Sequence, residues 1–197
     1  MDSILGIKGK DFVLLAADTT LIKSFFIINN DQSKIRSINK YNVICVASAD
    51  GDALQLVEFV EKNAKLYEIR SGYAMSTKTL SHFARNRLVR NLSRKAGTVI
   101  SLLVAGCDPI EEPRLYHIDA QGAEHKLNFC SIGMSNVVCA SIFRMMWRPN
   151  LTYSEALAIL KRCIAEIQKR MALNLVSFDI ILIDKDGIAK KETVKKG

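Results

Sequence analysis

Apolar side chains are spaced in two different ways along this chain, and the order in which the two spacings alternate restricts the fold more than any single motif. Residues 4–7, 12–17, 25–28 and 43–47 are short continuous apolar runs, each bounded by Gly, Asp, Asn or Lys. Their length and their Val, Ile and Phe content suit strands buried on at least one face. Residues 34–38 alternate weakly and add a further strand. From Asp52 the period changes: Ala53, Val57, Val60, Ala64 and Tyr67 recur at steps of four and three, one face of a helix ending near Ser71 and Gly72. A second helix starts at Ser76 and stops at Gly97, with Leu80, Ala84, Leu88 and Leu92 on one side. Its other side carries Arg85, Arg87, Arg90, Arg94 and Lys95, which reads as a solvated outer face.

Strand spacing returns at 99–105 and 114–118, and a turn over 119–122 leads to an answering strand at 124–129. Helical spacing resumes at 135–146 and is ended by Arg148 and Pro149. Thr152 and Glu155 form a capping box. Behind it Leu157, Leu160, Ile164, Ile167 and Met171 trace a narrow apolar stripe. A hairpin turning at Asp186 and Gly187 closes the chain. Strands joined by hairpins, with helices in pairs, predict an α+β fold of two antiparallel sheets, each covered by a helix pair, in a single domain over residues 1–197.

At 197 residues such a chain buries enough surface to need neither disulfides nor a metal. With 49% hydrophobic and 24% charged residues it is no disordered or low-complexity chain. The net charge of +8 allows nucleic acid, an anionic membrane or an acidic protein as partner. The cations are spread from Lys8 to Lys196 and lack interleaved aromatics, so neither nucleic acid nor membrane is expected. Cys45, Cys107, Cys130, Cys139 and Cys163 form an odd set without CxxC spacing, several of them in apolar stretches. That pattern, an N-terminus without signal-peptide features and the lack of a membrane-length apolar run predict a soluble chain in a reducing, intracellular compartment.

Nucleotide-binding, zinc-protease and esterase motifs are absent from the sequence. Gly133, Met134 and Ser135 begin like a nucleophile elbow but lack its second glycine, and Asp184 to Gly187 reads as a turn rather than a calcium loop. His82, His117 and His125 show no ligand spacing, and Asp50, Asp52 and Asp108 read as caps or turn residues. No metal or cofactor is expected. One constellation stands out. The apolar run at 12–17 ends in Asp18, and Lys34 follows in a second strand. Such a pair can form a buried ion pair that acidifies a nucleophile between them. On the residues alone, a turn aspartate and a surface lysine is the preferred reading.

The chain resembles the beta subunits of the 20S proteasome over residues 1 to about 194. The likeness rests on Leu14-Leu15-Ala16-Ala17-Asp18, on Leu66 to Gly72, on Gly106-Cys107-Asp108 leading to Leu115 through Gly122, on Trp147 to Thr152, and on Asp184 to Gly187. The start at Met1 to Ile7 and the stretch from Ala172 to Ile183 are most similar to the fourth position of the eukaryotic beta ring. The resemblance implies the four-layer αββα sandwich of N-terminal-nucleophile hydrolases. It implies partners too: two beta-ring neighbours, an alpha-ring subunit and the opposite beta ring, in the cytoplasm and nucleus. Active members of the family use an N-terminal threonine whose hydroxyl attacks the peptide bond. Here Asp18 and Lys34 match the family's aspartate and lysine, but Met1 stands at the threonine position, and a thioether has neither a proton to give nor a nucleophilic oxygen. The serine position falls on Met134, the later aspartate and serine on Met171 and Asn174, and the oxyanion glycine near Ala49. The implied function is a non-catalytic ring subunit, with Met1, Asp18 and Lys34 as relics. The alternative, an active threonine peptidase, requires Thr19 or Thr20 to become the N-terminus.

Overall fold

In the computed structural model of the chain, residues 2–23, 26–48, 51–92, 99–109, 112–171 and 174–195 are described. The strands are β1 (Ser3–Lys8), β2 (Phe12–Asp18), β3 (Leu21–Lys23), β4 (Phe26–Asn29), β5 (Ile35–Ser37) and β6 (Asn42–Ala47), followed by helices α1 (Gly51–Ser71) and α2 (Thr77–Leu92). Then come β7 (Ser101–Gly106), β8 (Arg114–Ile118), β9 (Glu124–Leu127) and β10 (Phe129–Gly133), helices α3 (Asn136–Met146) and α4 (Tyr153–Arg170), and the hairpin β11 (Ser177–Asp184) and β12 (Gly187–Lys195).

Two five-stranded sheets face each other, one ordered β10-β1-β2-β11-β12 and the other β5-β6-β7-β8-β9, with every pairing antiparallel. Three apolar layers hold four structural layers together. Val13, Leu15, Ala17 and Ile181 of the first sheet meet Val43, Leu103 and Leu115 of the second. On the outer face of the first sheet, Leu14, Ala16 and Phe178 pack against Phe143 of α3 and Leu160 and Ile164 of α4. On that of the second, Ile44, Leu102 and Val104 pack against Val57 and Val60 of α1 and Leu80 and Ala84 of α2. Because each sheet is covered on both faces, its central strands have no solvated side. This is why residues 12–17 are continuously apolar instead of alternating.

The two predicted sheets and helix pairs are therefore present, and three local readings need correction. The answering strand expected at 124–129 is not one strand: β9 extends the second sheet, while β10 crosses over and pairs with β1 of the first. The run at 26–28 is not buried: among the described residues β4 pairs only with β3, and Phe26, at 77% exposed, and Ile28 project into solvent (Phe25 lies outside the described residues). The arginine side of α2 is not wholly solvated either. Arg85 donates to the Gly122 carbonyl at 2.7 Å, and the Arg87 guanidinium lies 4.0 Å from the centre of the Phe59 ring. Arg94, Lys95 and the predicted stop at Gly97 lie outside the described residues.

Asp108, read as a cap, caps from a distance. Its Oδ2 accepts from both the backbone amide and the hydroxyl of Thr77, each at 3.0 Å, at the start of α2. Gly106 leaves the room for this, since a Cβ there would lie 2.0 Å from Asn42 Oδ1 and 2.4 Å from Thr77 Oγ1.

Candidate functional site

Asp18 ends β2 with its side chain wholly buried, and Lys34, just before β5, is 6% exposed. The turn aspartate and surface lysine preferred on the residues alone are thus corrected to a buried pair. Lys34 Nζ lies 2.7 Å from Asp18 Oδ2. It also lies 2.5 Å from Asp2 Oδ1 and donates to the Thr20 carbonyl at 2.9 Å. An ammonium has three protons to give, and three acceptors take them here. Asp18 in turn accepts at 2.7 Å from the Ser3 amide and at 3.3 Å from the Thr20 amide. Burial pushes the Asp18 carboxyl above its ordinary value, and the Lys34 charge pulls it back only in part.

Asp2 is the member of this cluster that sequence reasoning missed. Its place follows from register: β1 pairs antiparallel with β2 with Ile4 opposite Ala17, so the residues before Ile4 run beside Asp18. Gly133, at φ 82°, allows the close passage, because a Cβ there would lie 1.9 Å from the Asp2 carbonyl oxygen.

The other predicted site positions do not converge on Lys34. Met134 is a partly exposed turn residue, and the neighbouring Ser135 hydroxyl donates to the Ile132 carbonyl at 3.0 Å. Met171 caps the C-terminus of α4, with its amide donating to Ile167, and Asn174 is exposed. Met1, Ala49 and Asp50 lie outside the described residues. The Thr19 hydroxyl lies 2.5 Å from that of Ser177 and donates to the Asn30 carbonyl at 2.8 Å. Both Thr19 and Thr20 are buried directly behind β2, which with β1 lies in the interior of the first sheet.

Among the described residues no group of three or more His, Cys, Asp and Glu side chains is placed to hold a metal ion, and no helix is long and apolar enough to cross a membrane. All five cysteines are free and buried, and burial pushes the Cys130 thiol up to about 12, a core side chain rather than a nucleophile.

Residues 2–183 match the proteasome subunit family. The chain belongs to that family. It is 31% identical to proteasome subunit beta type-4 of Saccharomyces cerevisiae, covering 95% of this chain and 96% of that protein. It is 30% identical to proteasome subunit beta type-2 of rice, covering 95% of this chain and 88% of that one. A probable proteasome subunit beta type-4 of Encephalitozoon cuniculi is 30% identical over 98% of each chain. The relatives are beta subunits of types 2 and 4, in agreement with the resemblance read from the sequence. The layers described above are the αββα sandwich of the N-terminal-nucleophile hydrolases, one helix pair outside each of two facing antiparallel sheets.

Proposed function

We propose that this proteasome beta subunit is a non-catalytic member of the 20S core particle, at the fourth position of the beta ring, where its single domain forms part of the wall of the proteolytic chamber. The observation that carries this reading is the saturation of Lys34. In a working site the lysine must be free to act on a nucleophile. Here Asp2, Asp18 and the Thr20 carbonyl take all three of its protons, and among the described residues no hydroxyl or thiol is a partner. Met1, Asp18 and Lys34 are then relics of the catalytic arrangement, and the latter two fasten strand ends.

The partners this reading assigns are two beta-ring neighbours, an alpha-ring subunit and the opposite beta ring, in the cytoplasm and nucleus, with neither nucleic acid nor membrane involved. Ile69 on α1 with Tyr73 just beyond its end, Phe26 and Ile28 on β4, and Val137 and Met145 on α3 are exposed apolar side chains at three separate elements. A lone domain seldom shows so much apolar surface, whereas a stave packed on several sides would cover it.

The threonine-peptidase alternative needs cleavage before Thr19 or Thr20, which would remove β1 and β2 from the interior of a five-stranded sheet. Treating the native particle with a threonine-directed epoxyketone and measuring intact masses tests both readings. The chain should be recovered unmodified and still beginning at Met1. An adduct on it, or a chain starting at Thr19 or Thr20, would establish the peptidase instead.

A further inference from the structure

The Asp2–Lys34–Asp18 cluster occupies one end of the sandwich, at the start of β1 and the end of β2. A cavity of about 480 Å³ opens at the opposite end, beyond Lys8 at the close of β1 and Asp11 just before β2. Its walls collect the rarest residues of the chain. All 3 prolines, Pro109, Pro113 and Pro149, line it together with the 1 tryptophan, Trp147. Proline fixes its own φ, so such walls are shaped before a ligand arrives and little ordering cost remains on binding. Trp147 is also held: its indole Nε1 donates to the Lys8 carbonyl at 3.2 Å, and its ring leans on Phe129 at 5.9 Å. The volume is within the range of side-chain and small-ligand sites, roughly 300–1,000 Å³.

Charge selects what enters. Lys8, Lys10 and Lys185 line the cavity against Asp11 and Glu112. Both acids are matched, Glu112 with Lys8 at 3.4 Å and Asp11 with Lys185 at 3.5 Å. The exposed Lys10 ammonium has no side-chain partner among the described residues, and among them the lysines of the lining outnumber the acids. A compact phosphate would want a converging set of amides or a guanidinium fork. No arginine is among the described residues that line the cavity, and at the nearby start of α4 the Thr152 amide is already taken by the Glu155 carboxylate at 3.0 Å. Ammoniums spread around a lining that mixes Trp147 and the prolines with Asn128 and Asn150 suit carboxylates spread along a backbone.

We propose that this cavity binds an extended acidic peptide segment of a partner protein, with an apolar side chain against Trp147 and the prolines and its carboxylates reaching Lys10 and the neighbouring lysines. The site is separate from the relic cluster and does not depend on whether that cluster is catalytic.

The test uses the chain in its native assembly and an acetylated Glu-Asp-photoleucine-Glu-Asp amide peptide, with adducts located by mass spectrometry after irradiation. Adducts should fall on segments 8–11 and 147–150. Lys10→Glu should lower their yield about tenfold, and raising the salt from 50 to 500 mM should lower it severalfold. If the reversed charge prevents assembly, Lys10→Gln serves, with a loss of about threefold expected. Adducts confined to other segments overturn the proposal. So does equal labelling by the Lys-for-acid peptide, or complete competition by inorganic phosphate, which would assign the cavity to small anions.

Discussion

Lys34 is held by three acceptors at once. Replacing it with Met would leave Asp2 and Asp18 as neighbouring buried carboxylates without a counter-charge, a change that costs about 3–5 kcal/mol when one partner of a buried pair is removed. Hydrogen exchange in the assembled particle should show Lys34→Met losing protection in β1 and β2, while α1 and α2, beyond the second sheet, change little. Gly133→Ala should loosen the same strands, because the added Cβ meets the Asp2 backbone and must also hold a left-handed φ. Equal protection in either variant and the parent would show that the cluster does not fasten the first sheet. Asp18 and Lys34 were legible in the sequence as an acid ending an apolar run and a lysine in a later strand. Their burial was not, because it depends on Asp2, whose arrival is fixed by pairing register and by a glycine more than a hundred residues away.

Helices were more legible than strand partners. The spacing of Ala53, Val57, Val60 and Ala64 needs only a 3.6-residue period, and all four are buried on the second sheet. The capping box was readable for the same local reason, and Thr152→Ala should fray the first turn of α4 at a cost of about 1 kcal/mol, seen as faster exchange confined to that turn. The division of residues 124–133 between two sheets leaves no such local trace, since each half is simply a short strand. The β8–β9 hairpin carries a pH dependence of its own. His117 lies directly opposite His125, and burial is the main cause holding its imidazole below the usual histidine value, with the His125 charge acting the same way and Asp119 opposing both. A depressed folded value means that the unfolded chain takes up the proton first. The contribution of His117 to stability is therefore complete above pH 6.5 and is lost as pH falls below it. Exchange in β8 and β9, corrected for intrinsic rates, should accelerate between pH 7 and pH 5.5. His117→Gln should flatten that response, and an unchanged slope in the variant would place the titration elsewhere.

At the scale of the whole molecule, the three buried layers account for the runs that read as core, while the apolar side chains left over account for a chain made to be surrounded. These leftovers are concentrated on three elements: Val137 and Met145 on α3 are 90% and 86% exposed, Ile69 at the end of α1 is 71% exposed, and β4 is exposed along its length. Periodicity finds which residues share a face, but not whether that face is covered by the same chain or by another. Expressed alone, the chain should form heterogeneous oligomers or precipitate at micromolar concentration, which sedimentation would show directly. Val137→Glu with Met145→Glu interrupts the α3 patch without touching a buried residue, so the isolated variant should sediment closer to a monomer while failing to complete the particle. A monodisperse monomer of the unaltered chain would mean that these side chains need no neighbour, and normal assembly of the doubly substituted chain would mean that α3 faces solvent in the particle.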